Sequence, residues 1–159
     1  MTDADSAAAG GDLVFRMGEF PATFPADFRY AKNHMWAHGD GPVVRFGLAA
    51  YAVRLLQDVY FLEWTVDPGT VVVYRQEIGS IESKKAESAL YAPAAGRIVQ
   101  FNDRLLEDPS GINVDKYGAG WLFEIETDGA GLLDAPAYIS HLDDVWEVTQ
   151  RTIKGQANA

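Results

Sequence analysis

The run Ile81-Glu82-Ser83-Lys84-Lys85-Ala86-Glu87-Ser88, followed by Leu90-Tyr91-Ala92-Pro93-Ala94-Ala95-Gly96, sets a lysine pair between two predicted strands in a chain poor in basic residues. A lysine at the tip of a tight hairpin keeps its ammonium in water while the strands on either side hold its backbone, so a modifying enzyme can reach it. That is the geometry a tethered group needs. Paired lysines in a charged turn are most often only solvated, so the surroundings of the pair decide its reading.

Working outward, short apolar runs alternate with turn signals. Phe28-Arg29-Tyr30, Val43-Val44-Arg45-Phe46, Val59 to Trp64, Val71 to Tyr74, Glu77 to Ser83, Ser88 to Tyr91, Arg97 to Phe101 and Trp121 to Ile125 read as strands. Gly39-Asp40-Gly41-Pro42, Asp67-Pro68-Gly69, Pro93, Gly96 and Asp108-Pro109-Ser110-Gly111 punctuate them. Tyr51 to Leu56 has helical spacing but a poor cap in Ala49-Ala50, so it predicts a helix of a turn or two. Asp134 is placed to cap a last helix with Pro136 in its first turn, and Ile139, Leu142, Val145 or Trp146, and Thr149 give that helix one packing face. Many short strands at this spacing predict a mainly β sandwich or flattened barrel with a few helices.

At 159 residues, the chain is the size of one domain, and 48% apolar content is enough for a packed core. A formal charge of −10 repels phosphate backbones and anionic lipid, which argues against nucleic-acid or membrane partners and for basic docking surfaces. No cysteine is present, so disulfides and thiolate metal sites are excluded. The first eleven residues carry acid and no base, unlike a secretory or transit signal, and no apolar run approaches the ~20 residues of a membrane span, so a cytoplasmic protein is expected. The expected division is a flexible extension over residues 1–24, one domain over 25–152 and a frayed tail over 153–159. His34, His38 and His141 lack metal-ligand spacing, and no Ser-His-Asp or phosphate-loop signature occurs, so no catalytic or metal residue is assigned.

The string Glu82-Ser83-x-Lys85-Ala86-x-Ser88, with Ala92-Pro93 and Gly96, resembles the lipoyl-lysine hairpin of the H-protein family, the carrier component of the glycine cleavage system. Asn113-x-x-x-Tyr117-x-x-Gly120-Trp121-Leu122, Tyr30-x-x-x-His34-x-Trp36, Gly47-Leu48 and Tyr51-Ala52 continue the resemblance from Phe28 to Tyr138. It implies a hammerhead-like lipoyl/biotinyl-carrier β-sandwich with a C-terminal helix, and a non-catalytic carrier of a multienzyme system. Lipoate would be amide-linked to Lys85, the lysine directly before Ala86, with Glu82 as the mark read by the attaching enzyme. A biotin carrier usually has methionine on both sides of its lysine, where Lys84 and Ala86 stand here.

Two departures bear on the pathway. The family holds the amine of its aminomethyl cargo with a glutamate and an aspartate, at positions occupied here by Met35 and Ala89. A methylammonium drawn into a cleft needs an acceptor or an opposite charge, and neither residue supplies one, although Asn33 and Glu87 lie nearby in sequence. The favoured expectation is therefore an H-like lipoate-binding protein of bacterial sulfur oxidation, working beside a heterodisulfide-reductase-like complex. The alternatives are a glycine cleavage H protein working with the P, T and L proteins, the last a dihydrolipoyl dehydrogenase, and an unmodified scaffold or relay protein. A lipoate-protein ligase or lipoyl synthase would load the arm.

Overall fold

The computed structural model describes residues 11–158, with side chains through residue 150. Strands β1 (Leu13–Met17) and β2 (Phe20–Phe24) form a hairpin closed by Gly18 and Glu19. Gly18 takes φ +67°, the backbone a two-residue hairpin loop asks of its first member. The main sheet has seven antiparallel strands in the order β12 (Leu133–Asp134), β3 (Arg29–Tyr30), β4 (Met35–His38), β5 (Val43–Leu48), β11 (Phe123–Glu126), β10 (Gly96–Phe101), β7 (Val71–Val72). Facing it, β6 (Val59–Trp64), β8 (Glu77–Ser83) and β9 (Glu87–Tyr91) form a three-stranded antiparallel sheet.

Alternation drives the layers together. Val44, Phe46, Ile98, Phe123 and Ile125 from the large sheet meet Leu62, Ile78, Ile81 and Leu90 from the small one in a single buried cluster. The result is the expected β-sandwich, left open rather than closed into a barrel. Helices α1 (Ala50–Leu56), α2 (Asp103–Glu107), α3 (Gly111–Val114) and α4 (Ala135–Asn158) flank it. The amide of Ala137 donates to Asp134 Oδ1 at 2.9 Å, so Asp134 caps α4 as its position predicts. Ala135, Tyr138 and Leu142 on α4 are fully buried at helical spacing.

A second cluster corrects the expected flexible extension over its described part. Phe15, Met17, Ala22 and Phe24 on the hairpin are buried with Tyr30, Trp36, Tyr51, Tyr138 and Leu142. Trp146 packs edge-on to both Phe15 and Tyr51, at ring distances of 6.4 and 6.1 Å, so it belongs to the packing face of α4. The hairpin's period-two apolar face would be exposed in a tail, and docking it here removes that face from water. Residues 1–10 lie outside the described part.

Other elements differ in extent. The strand expected over Val71 to Tyr74 ends at Val72, because Val73 and Tyr74 enter a turn closed by Gln76 N–H donating to Val73 O at 3.1 Å. Phe123–Glu126 lies inside the sheet between β5 and β10. The α4 backbone stays helical to Asn158, past the point where fraying was expected.

Candidate functional site

Lys84, Lys85 and Ala86 join β8 to β9 at the tip of the hairpin, and all three are exposed. Ser83 closes the loop three ways. Its amide donates to Ala86 O at 2.9 Å, its hydroxyl donates to the same oxygen at 3.0 Å, and Ala86 N–H donates to Ser83 Oγ at 3.2 Å. The loop backbone is also held from below. Lys84 N–H donates to Asp58 O at 3.3 Å, and Lys85 N–H donates to Leu56 O at 3.2 Å. The lysine side chains thus project from a fixed backbone, tied to the C-terminal end of α1 and the turn after it.

Glu82 and Glu87 are direct register partners below the loop. Like charges facing across strands repel, and the lysine pair follows them at the tip of the same hairpin. With its charge consumed in an amide, Lys85 would leave Lys84 as the remaining cation of the loop. Ala86 is exposed, and its role is to complete the turn. Pro93 is buried after β9 and Gly96 begins β10, so both shape the return rather than the lysine loop. Gly79 is different: a Cβ there would strike Glu63 O and the Trp64 ring, so this glycine lets β8 lie close against β6 beneath the site.

Beside the loop, α1 and the small sheet enclose a cleft of about 230 Å3. Met35, Leu48, Leu55, Leu56, Ile81 and Leu90 give it apolar walls, and Asn33, His34, Ser88, Ala89 and Tyr91 complete it. Met35 and Ala89, separated by 54 positions in sequence, therefore meet in one cleft, and no carboxylate lines it. Of the two residues considered as compensation, Asn33 is brought in and Glu87 is not; Glu87 lines a separate groove with Glu82 and Ser80. Asn33 Nδ2 donates to Tyr91 O at 3.0 Å, whereas Asn33 Oδ1 is buried with no partner among the described residues. Asn33 could be found in the sequence only as a near neighbour of Met35; its orphaned acceptor is a tertiary fact.

His34, on the cleft wall, takes a left-handed conformation, φ +72°. Its Nδ1 lies 2.8 Å from the Tyr138 hydroxyl, and its ring packs on Tyr51 and His141. Burial, with His141 beside it, lowers its pKa to about 4, so it is neutral at physiological pH. Tyr51 Oη is 2.9 Å from Thr149 Oγ1, fixing α1 to α4. Tyr117, a motif residue, supplies the cap that Ala49 lacks: its hydroxyl accepts from Ala50 N–H at 3.0 Å and donates to Thr23 O at 2.7 Å. Asn113, another motif residue, bonds Val59 N–H and Val59 O through its amide, both at 3.0 Å. These contacts fix the elements on which the lysine loop rests.

Residues 28–143 match the family model described as glycine cleavage H-protein. The chain belongs to the glycine cleavage H-protein family. It is 40% identical to the glycine cleavage system H protein of Myxococcus xanthus over 124 residues, covering 76% of this chain and 95% of that protein. It is 44% identical to a probable glycine cleavage system H protein of Natronomonas pharaonis over 117 residues, covering 72% and 92% respectively. A crystal structure of the glycine cleavage system H protein of Mycobacterium marinum superposes with a TM-score of 0.66 at 35% identity, covering 74% of this chain and 97% of that one. The match to the family model begins at Phe28, so the β1–β2 hairpin lies outside the part of the H-protein pattern it covers. No metal-binding cluster of His, Asp and Glu occurs among the described residues, and no helix there is long and apolar enough to cross a membrane.

Proposed function

We propose that this chain is a lipoyl carrier of the glycine cleavage system, with lipoate in amide linkage to Lys85. The observation that carries the reading is the Lys84-Lys85-Ala86 loop, held by backbone bonds beside a cleft lined by Asn33, whose Oδ1 is buried with no partner among the described residues. Lipoate supplies a disulfide that is reduced and loaded at the end of a flexible arm, so successive enzymes meet it at high effective concentration. The chain's own work is to hold the arm's root, present it with Glu82 to the attaching enzyme, and shelter its far end. A protonated methylamine entering the cleft can donate to Asn33 Oδ1. This places glycine cleavage ahead of the sulfur carrier that the sequence favoured, and the relatives named above support that order. Its expected partners are the P, T and L proteins.

The sulfur-oxidation reading keeps one supporting observation: the cleft walls are apolar and carry no carboxylate, which suits an uncharged sulfur cargo. Intact mass and peptide mapping of the protein from its native cells, under non-reducing conditions, separates the two. Lipoyl on Lys85 with an aminomethyl load supports glycine cleavage. Extra sulfur on the same arm supports the second reading, and an unmodified Lys85 sinks both and leaves a scaffold.

A further inference from the structure

Strand β6 breaks its own alternation. A bulge between Val59 and Phe61 puts two consecutive aromatic residues on the solvent side, with Tyr60 62% and Phe61 41% exposed. In a regular strand one of two neighbours would turn inward. The clamp of Asn113 on Val59 lays α3 against this strand, and Val114, next to that clamp as Tyr60 is, is 82% exposed. Tyr60 and Phe61 on β6, and Val114 on the helix that Asn113 ties to β6, are thus large apolar side chains left in water. Phe61 is the register partner of Glu82, and Val59 is that of Ser83, the residue that closes the loop. Exposed Asp58, Glu63 and Asp115 stand close to these residues in sequence and bring acidic charge to the same segments. Clustered exposed apolar side chains with a polar rim mark an interaction site.

We infer that Tyr60, Phe61 and Val114 form the docking patch for the enzyme that acylates Lys85, which meets it with an apolar slot rimmed by basic side chains. The inference rests on the lipoyl-lysine reading of Lys85. The occupant follows from reach. The bare ammonium ends one lysine side chain from the backbone, so the acylating enzyme must close over the strands that carry it, β6 included. In the reaction, Lys85 Nζ gives up two protons, its C–N bond to the lipoyl carbonyl forms, and the carbonyl–oxygen bond of a lipoyl-adenylate breaks to release AMP. The acidic charge of these segments adds attraction that salt weakens.

The test uses the full chain with a purified lipoate-protein ligase, lipoate and ATP, following lipoylation by intact mass. Tyr60→Ser combined with Phe61→Ser, and separately Val114→Ser, lower kcat/KM about tenfold or more through KM. Their Tm stays at the wild-type value, because the altered side chains are exposed. Val71→Ser, equally exposed on the edge of the other sheet, leaves kcat/KM unchanged. Lipoylation of the patch variants at the wild-type kcat/KM overturns the docking role and leaves the reading of Lys85 standing. A wild-type chain that the ligase never modifies overturns both.

Discussion

Replacing Tyr117 with Phe removes one oxygen and tests how the site is held. The hydroxyl accepts from Ala50 N–H and donates to Thr23 O, joining the first turn of α1 to the β1–β2 hairpin. Burial raises its pKa well above the ordinary phenol value, so it stays protonated and serves both partners across the working pH range. Phenylalanine keeps the ring against Phe28 and Trp36. The variant therefore isolates the two hydrogen bonds. Each partner left unsatisfied costs about 1–3 kcal/mol, and partial access of water to the gap brings the expected total to about 3 kcal/mol. For a domain of this size that lowers Tm by about 6–12 °C. Urea denaturation gives the loss directly, with m unchanged. Hydrogen exchange should speed up at the amides of 50–56 and in the hairpin while the β8–β9 ladder keeps its protection. A loss below about 0.5 kcal/mol, with exchange in α1 unchanged, would refute the claim that Tyr117 replaces the missing helix cap.

Lys85→Arg abolishes lipoylation, while Lys84→Arg leaves it intact, as read by peptide mapping after ligase treatment; modification of the Lys85→Arg chain at Lys84 would reassign the site. His34 has a folded pKa lowered to about 4 from 6.5, so the unfolded chain takes up a proton first as pH falls. Its contribution is complete above pH 6.5 and declines toward pH 4, by up to about 3 kcal/mol. The groups packed against it are His141, Tyr138 and Tyr51. His34→Gln should flatten the fall of the urea midpoint between those pH values, and an unchanged slope would remove His34 as its source. Trp146→Ala empties the space between Phe15 and Tyr51 and should cost about 3 kcal/mol in urea. If the hairpin amides then exchange no faster, the hairpin is held by other contacts.

Sequence by itself determined what is local. Val59–Trp64 and Glu77–Ser83 could be read because β-rich runs end in turn residues, and Asp134 because capping acts over three residues. The lysine loop was legible for the same reason: its turn, its flanking strands and its acidic neighbour lie within a few residues of one another. The resemblance extended this to the family and to motif positions such as Asn113 and Tyr117, though not to the bonds they make.

Tertiary structure decided what depends on which surfaces meet. Alternation shows that Phe15 and Met17 share a face, but nothing nearby in sequence says that Trp146 and Tyr51 cover it, so the hairpin read as a tail. The cleft is assembled from Asn33 to Met35, from α1 and from the β8–β9 hairpin, and only their packing leaves Asn33 Oδ1 without a partner and keeps Glu87 outside. The bulge that turns both Tyr60 and Phe61 outward is a matter of register against β8. Apolar period gives each element its inward face, whereas partner, register and orphaned groups follow from the joint packing of segments up to about a hundred residues apart, such as His34 and Tyr138.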